Sequence, residues 1–342
     1  MGVTMGEPLG VLLLHMGGPR DLAEVRPFLR RLLADPDMIR LPAPARLPLA
    51  ALVSGLRARA ARERYALMGG RSPAVEQVTA LAAMLETALR DAGEEGALAE
   101  PAFLYCGQDA DEALARLLAR GARRFAAVPE YPQFSRTTTG ASLRALDGAL
   151  RRAAPPVPRQ LRDLPAVRTW HASPLLADMW EESIGRALAG GFPPGARPYL
   201  LFCAHGLPER YVRAGDPYER EVRATVAAAA ARFPQLAHGL AFQSRVGPMK
   251  WLGPAVGSEV ARLAAQGVRD LLLVAISFLT DHVETLVELD VELAATARAA
   301  GITRLVRAPA PAASPLAARA LARAVLEACG ARPAGAPAVG GS

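Results

Sequence analysis

The sequence predicts an α/β protein with two similar domains, each built on a parallel sheet, that face each other across a central cleft. Short apolar runs alternate with longer segments of helical periodicity from residue 10 to residue 328. This alternation favours parallel pairing, because each helix returns the chain to the start of the next strand. The passage 151–158 (RRAAPPVP) interrupts the alternation and predicts a boundary between domains at 1–155 and 160–328.

The same alternation sets the expected elements in order. Strands are predicted at 10–14, 101–105, 125–129, 167–170, 200–203, 240–243, 271–277 and 305–307. Helices are predicted at 21–34, 57–65, 74–92, 109–120, 141–152, 175–189, 218–233, 254–266, 285–300 and 314–328. The segment 329–342, rich in proline, glycine and alanine, is predicted to be a disordered tail.

Composition excludes several classes of protein. The net charge of +7 is carried almost wholly by arginine, and no basic run is interleaved with aromatic residues, so we expect no nucleic-acid partner. Three widely separated cysteines form no CxxC pair, which excludes a disulfide framework and offers no thiolate cluster for a metal. No apolar run is long enough to span a membrane and no secretory signal is recognisable, so we expect a cytoplasmic protein.

The segment 41–56 (LPAPARLPLAALVSGL) is apolar and contains three prolines, at 42, 44 and 48. It is either a buried connector or an exposed apolar lip beside a ligand mouth or a bilayer surface. Prolines disfavour a regular element in the core, because each removes a backbone donor. We therefore expect an exposed lip.

The stretch YLLFCAHGLP, residues 199–208, carries the first candidate functional residue. Its apolar run is too short for a spanning helix and is typical of a buried parallel strand. The strand delivers His205 to its carboxyl end, where open α/β sheets bind their ligands. The alternative is a core histidine whose ring is hydrogen-bonded to a backbone carbonyl.

A second candidate site follows the apolar strand at 271–277. Glu284, Glu288 and Glu292 recur every four residues, so they lie along one face of a helix, and Asp281 and His282 precede them. Three carboxylates without lysine or arginine partners repel one another, and a solvated acidic face is the simpler interpretation. A row of oxygen ligands with imidazoles at its mouth would also suit a path for a divalent metal or for protons.

Two further segments offer surfaces for a ligand. Trp251 and Met249 lie between the two strand-end sites and would pack either against a flat apolar ligand or in the core. Ser72 caps the predicted helix at 74–92, and a helix start that faces a cleft would also suit a carboxylate.

Six ordered segments resemble the motif set of the ferrochelatase family, whose members are lyases that insert ferrous iron into a porphyrin. They are HMGGP, YALMGGRSP, YPQFSRTTTG, CAHGLPERYV, QSRVGPMKWLGP and FLTDHVETLVELD, and the match covers about residues 10–325. The resemblance implies two Rossmann-like domains of the chelatase type with the porphyrin between them, and Fe²⁺ as a substrate. Because Cys329 is the only cysteine near the end of the sequence, no iron–sulfur cluster is expected.

The resemblance also implies roles for the strand-end residues. His205 matches the active-site histidine of the family, and Glu284 matches a glutamate opposite it across the macrocycle. His282, Glu288 and Glu292 match an acidic and imidazole path behind that glutamate. His205, Glu284, His282 and Glu288 are therefore the implied metal-handling residues.

Porphyrin-contacting positions are implied at Met16, Tyr65, Ser72 and Trp251, with Arg57 on the propionate side. His15 stands where the family usually has asparagine, and is either an adventitious ligand or a polar loop group. MGGP and WLGP resemble members that use protoporphyrin IX and make protohaem, the last step of haem biosynthesis. A coproporphyrin III ferrochelatase and a non-enzymatic porphyrin or haem carrier are the alternatives. We expect a monomer or homodimer with a peripheral contact to the inner face of the membrane through 41–56.

Overall fold

The computed structural model describes residues 7–153, 157–245 and 249–330, and its strands form two separate parallel sheets. The first sheet has the order β2-β1-β3 and the second the order β5-β4-β6-β7. The strands are β1 (Leu9–His15), β2 (Leu98–Phe103), β3 (Arg124–Pro129), β4 (Tyr199–His205), β5 (His238–Gln243), β6 (Asp270–Val274) and β7 (Arg304–Arg307). The predicted α/β class with two parallel sheets is confirmed.

Helices connect consecutive strands, as parallel pairing requires. They are α1 (Val25–Ala34), α2 (Ala43–Ala66), α3 (Ala74–Asp91), α4 (Ala110–Ala119), α5 (Ala141–Arg152), α6 (Pro174–Gly191), α7 (Glu209–Arg213), α8 (Tyr218–Ala230), α9 (Val256–Ala265), α10 (Ala294–Ala300) and α11 (Pro315–Ala328). Two π-helical segments, Arg136–Gly140 and Glu284–Leu293, lead directly into α5 and α10. Two short 3₁₀ helices, Leu161–Asp163 and Pro311–Ala313, complete the described elements.

The first strand of each half is an inner strand of its sheet. β1 lies between β2 and β3, and β4 lies between β5 and β6. Both strands have seven residues, are apolar almost throughout and end in a histidine, as LGVLLLH and YLLFCAH. Helices cover both faces of such sheets, which explains the continuous apolar runs. His15 and His205 are therefore carried to the carboxyl edges of the two sheets.

The two halves share part of their core. The last helix, α11, packs against α3 of the first half and α6 of the second. Leu85 of α3, Trp180 of α6 and Leu321 of α11 belong to one buried cluster and are essentially inaccessible to solvent. The predicted boundary at 155/160 adjoins residues 154–156, which lie outside the described residues, and so do residues 331–342 of the predicted tail.

The segment 167–170, predicted as a strand, does not form one. Its backbone follows a single parallel bridge between Ala127 and Ala166. It donates two separate hydrogen bonds, from Val167 N to Ala127 O at 2.9 Å and from Trp170 N to Pro132 O at 3.0 Å. The apolar signal came instead from burial of Trp170, whose indole N–H donates to the carbonyl of Pro129 at 3.0 Å. A buried segment of this kind has the apolar composition of a short strand but lacks the regular hydrogen bonds between neighbouring strands.

From residue 43 onward the segment 41–56 is helical and supplies the first half of α2, although its prolines disfavoured a regular element in the core. Pro42 and Pro44 lie at the helix start, where the backbone N–H groups have no partner within the helix, so only Pro48 removes a helical hydrogen bond. The expected exposure is confirmed for its leucines, which are 37–75% accessible. They are Leu41, Leu47, Leu49, Leu52 and Leu56. Within the described ranges, every helix is too short or too polar to cross a lipid bilayer.

Candidate active site

His205 and Glu284 form a direct pair at the carboxyl edge of the second sheet. His205 Nδ1 lies 2.8 Å from Glu284 Oε2, and the two side chains are 39% and 28% exposed. β4 positions the histidine, and the π-helix Glu284–Leu293 begins at the glutamate. A distance of 2.8 Å leaves no room for a macrocycle between them. The expectation that Glu284 faces His205 across the porphyrin is therefore wrong, and both groups address a ligand from the same side.

The pair has the character of an ion pair. Burial by itself would lower the pKa of His205, but the charge of Glu284 and its hydrogen bond outweigh burial, and the pKa of His205 is raised. Burial would likewise raise the pKa of Glu284, but His205 outweighs it and lowers that pKa to about 2. The contact therefore stabilises an imidazolium beside a carboxylate.

Ser244 connects this pair to the next carboxylate. Its hydroxyl lies 3.1 Å from Glu284 Oε2 and 2.8 Å from Glu288 Oε2, and its backbone N–H donates to Glu288 Oε1 at 2.7 Å. The residue follows β5 and has a φ of +63°, a left-handed conformation that is uncommon for serine. Strain of this kind concentrates at functional sites, where surrounding contacts hold it in place. Ser244 thus fixes the spacing of two carboxylates.

The acidic row has a basic partner, contrary to the sequence-based expectation. Arg64 Nη2 lies 2.8 Å from Glu292 Oε2 and 3.9 Å from Glu288 Oε2. Glu288 is 20% exposed and Glu292 49%, so the row runs from the partly buried pair towards solvent. Burial and the charge of Glu284 raise the pKa of Glu288. The row is therefore partly buried at Glu284 and Glu288 and exposed at Glu292, rather than a uniformly solvated face.

His282 lies beside this pair and contacts the backbone of Glu284 rather than its carboxylate. Its Nδ1 accepts a hydrogen bond from the backbone N–H of Glu284 at 3.1 Å. The ring of Phe278 packs edge-on against both histidines. Its centroid lies 4.5 Å from the ring centroid of His282 and 6.3 Å from that of His205. Burial lowers the pKa of His282, so its ring favours the neutral form that a metal ion requires.

The two turns that hold the implied porphyrin positions Met16 and Ser72 pack together. Ser72 N donates to the carbonyl of Pro19 at 2.8 Å, and a Cβ on Gly18 would lie 2.6 Å from the Ser72 side chain. Ser72 Oγ is 3.4 Å from Ala74 N, so it caps α3 only weakly, and Ser72 is buried. Met16 N donates to the hydroxyl of Tyr131, which fixes the start of its turn.

Tyr65 and Trp251 approach the His205 site from two other elements. Tyr65 is 6% exposed, and burial together with the charge of Glu284 raises its pKa. Trp251 lies against Gly206, where an added Cβ would be 3.1 Å from the indole ring. Arg57 is exposed on α2 and makes no hydrogen bond or ion pair to any described residue. The structure thus places Tyr65 and Trp251 near the His205–Glu284 pair and Ser72 against the turn that follows Met16, whereas Arg57 is exposed on α2.

A second histidine–glutamate pair lies at the carboxyl edge of the first sheet. His15 Nε2 is 3.9 Å from Glu130 Oε2, and the side chains are only 5% and 2% exposed. Burial, with a smaller effect of His282, lowers the pKa of His15 to about 3. Burial also raises the pKa of Glu130 to about 8, although a hydrogen bond from Thr280 opposes this. Both groups are therefore neutral at pH 7.

The described residues hold no group of three histidine, cysteine, aspartate or glutamate side chains arranged as a metal cage. The carboxylates instead succeed one another along the π-helix, with Ser244 and Arg64 between them. Such an open row suits an ion in transit better than a resident ion, because a resident ion needs several ligands at once. Fe²⁺ would be a substrate of this arrangement.

Comparison with known proteins identifies the family of the chain. The family model described as Ferrochelatase matches residues 8–329. The chain belongs to the ferrochelatase family. A ferrochelatase of Phenylobacterium zucineum is 44% identical over 308 residues, covering 89% of this chain and 86% of that protein. A ferrochelatase of Synechocystis is 38% identical over 322 residues, covering 93% and 82%.

A solved structure shows the same fold at much lower identity. SirB from Bacillus subtilis, solved with Fe³⁺, aligns over 94% of this chain and 95% of its own, with a TM-score of 0.56 and 12% identity. The chain thus has the Rossmann-like chelatase fold. Membership of the ferrochelatase family makes it a lyase of the metal chelatase kind, with a porphyrin and ferrous iron as substrates.

Sequence reasoning did not select two residues of this ferrochelatase-family site. Ser244 follows β5, the neighbour of β4, so the rule that selected His205 at a strand end would also have found it. Arg64 gave no local signal, because it meets Glu292 across 228 positions of the chain.

Proposed function

We propose that the chain inserts Fe²⁺ into protoporphyrin IX to make protohaem, the last step of haem biosynthesis. The observation that carries the proposal is the partly exposed His205–Glu284 pair, joined at 2.8 Å, with further carboxylates behind it. A free-base porphyrin must lose two pyrrole protons as the metal enters. This site combines a base, His205, with a carboxylate that raises the pKa of that base, Glu284, and a row of further carboxylates that leads to solvent.

The proposed proton transfer begins with the charged pair. The imidazolium of His205 loses a proton to solvent by way of Glu284 and the carboxylate row. The neutral imidazole then accepts a pyrrole proton, and the cycle repeats for the second one. Contacts with the porphyrin faces and propionates bend the ring and expose its nitrogen lone pairs, so binding energy is used in the transition state.

Fe²⁺ and protons share one side of the porphyrin in this proposal, because His205 and Glu284 are neighbours. The metal passes Glu292 and then Glu288 before it reaches Glu284. The neutral ring of His282 lies beside Glu284. Carboxylates suit this passage because they are oxygen donors, and a neutral imidazole is also a ligand that suits iron.

The proposed porphyrin contacts lie on several elements around the pair. In this proposal Trp251, which lies beside Gly206, covers one face of the porphyrin. Tyr65 and Met16 lie at turns on the opposite side. Ser72 is buried against the turn at 16–19. We propose that it holds that turn in shape and contacts the porphyrin only at that turn. Arg57, exposed on α2, is proposed to pair with a propionate.

We also propose a cytoplasmic protein, monomeric or homodimeric, that touches the inner face of the membrane. The exposed leucines at 41–56 support this contact, because a row of apolar side chains on one helix favours an interface with lipid. An iron–sulfur cluster has no part in the proposal, since Cys106 and Cys203 are buried in different halves.

Anaerobic assays with Fe²⁺ and each of two porphyrins test the proposed reaction. We expect the absorption change of metal insertion with protoporphyrin IX, and a kcat/KM at least about tenfold lower with coproporphyrin III, equivalent to about 1.4 kcal/mol. A preference for coproporphyrin III would replace the proposed substrate. Tight porphyrin binding without insertion would identify a carrier and overturn the enzymatic proposal.

A further inference from the structure

We propose that Arg64 is a built-in counter-ion of the metal route, which holds the outer carboxylates until Fe²⁺ displaces it. The inference rests on the proposed function, since it assigns a role to a side chain on the route that Fe²⁺ is proposed to take. Arg64 is a positioning residue in this account. Its guanidinium contacts carboxylates, and it has no contact with the reacting nitrogen atoms.

The contact geometry gives Arg64 a place in a continuous series. Glu284 is linked to Glu288 through the hydroxyl of Ser244, at 3.1 and 2.8 Å. Glu288 lies 3.9 Å from Arg64, which lies 2.8 Å from Glu292. Across the described ranges, Arg64 is the basic side chain within 4 Å of either outer carboxylate, and no second one approaches them.

The same contacts indicate that the cation can leave. Arg64 Nε is buried and has no hydrogen-bond partner, so its guanidinium is incompletely satisfied in this position. Its side chain is 36% exposed, which gives it a way into solvent. Without a cation, Glu288 and Glu292 would repel each other and Glu284. Arg64 therefore neutralises the empty route and competes with a divalent ion for the same oxygen atoms.

Arg64 also connects the route to the porphyrin side. It precedes Tyr65, whose buried ring lies within the field of Glu284, on the last turn of α2. Of the exposed leucines of the lip, Leu41 precedes that helix, and the others lie in the part of it that ends at Leu56. A single helix thus presents an apolar surface at one end and the counter-ion of the metal route at the other.

Anaerobic calorimetric titration of the full chain with Fe²⁺, without porphyrin, measures the competition directly. We expect Arg64→Gln to bind Fe²⁺ about three- to fivefold more tightly, the range that loss of a partly exposed ion pair permits. Arg59→Gln removes a charge from the same helix without touching the row, and it should bind as the wild type does. Arg64→Lys retains the charge and should restore affinity to within about twofold of the wild type.

A double-mutant cycle locates the effect. In a Glu292→Gln background the gain from Arg64→Gln should fall below about twofold, because the competing carboxylate is gone. In the insertion assay, Arg64→Gln should lower the KM for Fe²⁺ while the KM for porphyrin stays constant. A purely structural role would change both KM values together.

Unchanged or weaker Fe²⁺ binding by Arg64→Gln would overturn the inference, as would an equal gain in the Glu292→Gln background. Arg64→Met provides a second uncharged variant in which the helix is preserved. Tighter Fe²⁺ binding by Arg64→Gln in a protein that inserts no metal would support the counter-ion and overturn the proposed reaction, so the two failures are distinguishable.

Discussion

His15 and His205 end the inner strands β1 and β4, and each lies near a glutamate from a later segment of its own half. His15 and Glu130 are 3.9 Å apart and almost wholly buried. His205 and Glu284 are 2.8 Å apart and about one-third exposed. The first pair is neutral at pH 7, whereas the second favours the charged form.

The difference arises from the balance between burial and direct contact. A buried charge requires a partner at hydrogen-bonding distance, and 3.9 Å is too long for that. His15 Nδ1 instead accepts the backbone N–H of Gly17 at 2.9 Å, and its ring stacks on Tyr131. A histidine at a strand end is therefore suited to proton transfer only where a carboxylate touches it and a ligand can reach it.

The largest expected difference is in catalysis. His205→Asn and Glu284→Gln should each lower kcat for Fe²⁺ insertion by about 100-fold or more, because a general base and the anion that tunes it are lost. The matched changes His15→Asn and Glu130→Gln should lower kcat by less than about threefold. Steady-state insertion rates and porphyrin binding by fluorescence quenching measure both sets.

Porphyrin affinity should stay within about threefold of the wild type in all four variants, since none removes a large apolar contact. Full turnover by His205→Asn or Glu284→Gln would exclude the proposed proton acceptor. An equally deep loss from His15→Asn would show that the buried pair also takes part.

The pH dependence of kcat/KM should distinguish the pairs next. The pKa of His205 is raised above 6.5, so the neutral imidazole becomes the main form only at a higher pH. Activity should therefore rise as the pH increases above 6.5. Glu284→Gln removes the stabilising charge, and burial then lowers the pKa of His205. The residual activity of this variant should therefore rise at lower pH than that of the wild type.

Profiles between about pH 5.5 and 9, measured at subsaturating porphyrin, would show this shift. His15→Asn should leave the profile in place, because His15 is already neutral throughout that range. Superimposable profiles for Glu284→Gln and the wild type would show that the carboxylate does not control the base.

The smallest effect concerns stability and tests the buried pair. The pKa of Glu130 is about 8 in the folded chain, against a reference of 4.5. Between these values the folded protein keeps a proton that the unfolded chain has released, so its stability falls as pH rises. Glu130→Gln cannot ionise, and its stability relative to the wild type should increase by on the order of 2 kcal/mol from about pH 5 to 6.5. Urea unfolding at several pH values measures this difference, and a constant difference would contradict a neutral Glu130.

The strand ends could be predicted from the sequence because parallel sheets bring their carboxyl ends to one edge. The apolar runs before His205 and before the segment at 278–284 therefore placed both partners correctly. The side from which Glu284 approaches could not be predicted. It depends on the π-helix that begins at this residue, and π-helical hydrogen bonding has no simple apolar periodicity.

Other differences have a similar physical origin. The sequence could not distinguish His15 from His205, because their surroundings come from residues such as Phe103, Tyr131 and Phe278 on other segments. The helical structure at 43–56 was not predicted, because prolines at 42 and 44 are compatible with a helix start and only Pro48 lies farther inside the helix. Contacts such as Arg64–Glu292 exist only once the chain has folded.

The packing of α11 against α3 has a consequence for biosynthesis on the ribosome. α3 packs against a helix that is translated more than 200 positions later, and Leu81 and Leu85 lie in the buried cluster to which both helices contribute. The first half can form its sheet early, but one face of α3 waits for a partner until synthesis has passed residue 328. During that interval the nascent chain exposes an apolar surface of the kind that chaperones recognise, and the final helix closes it.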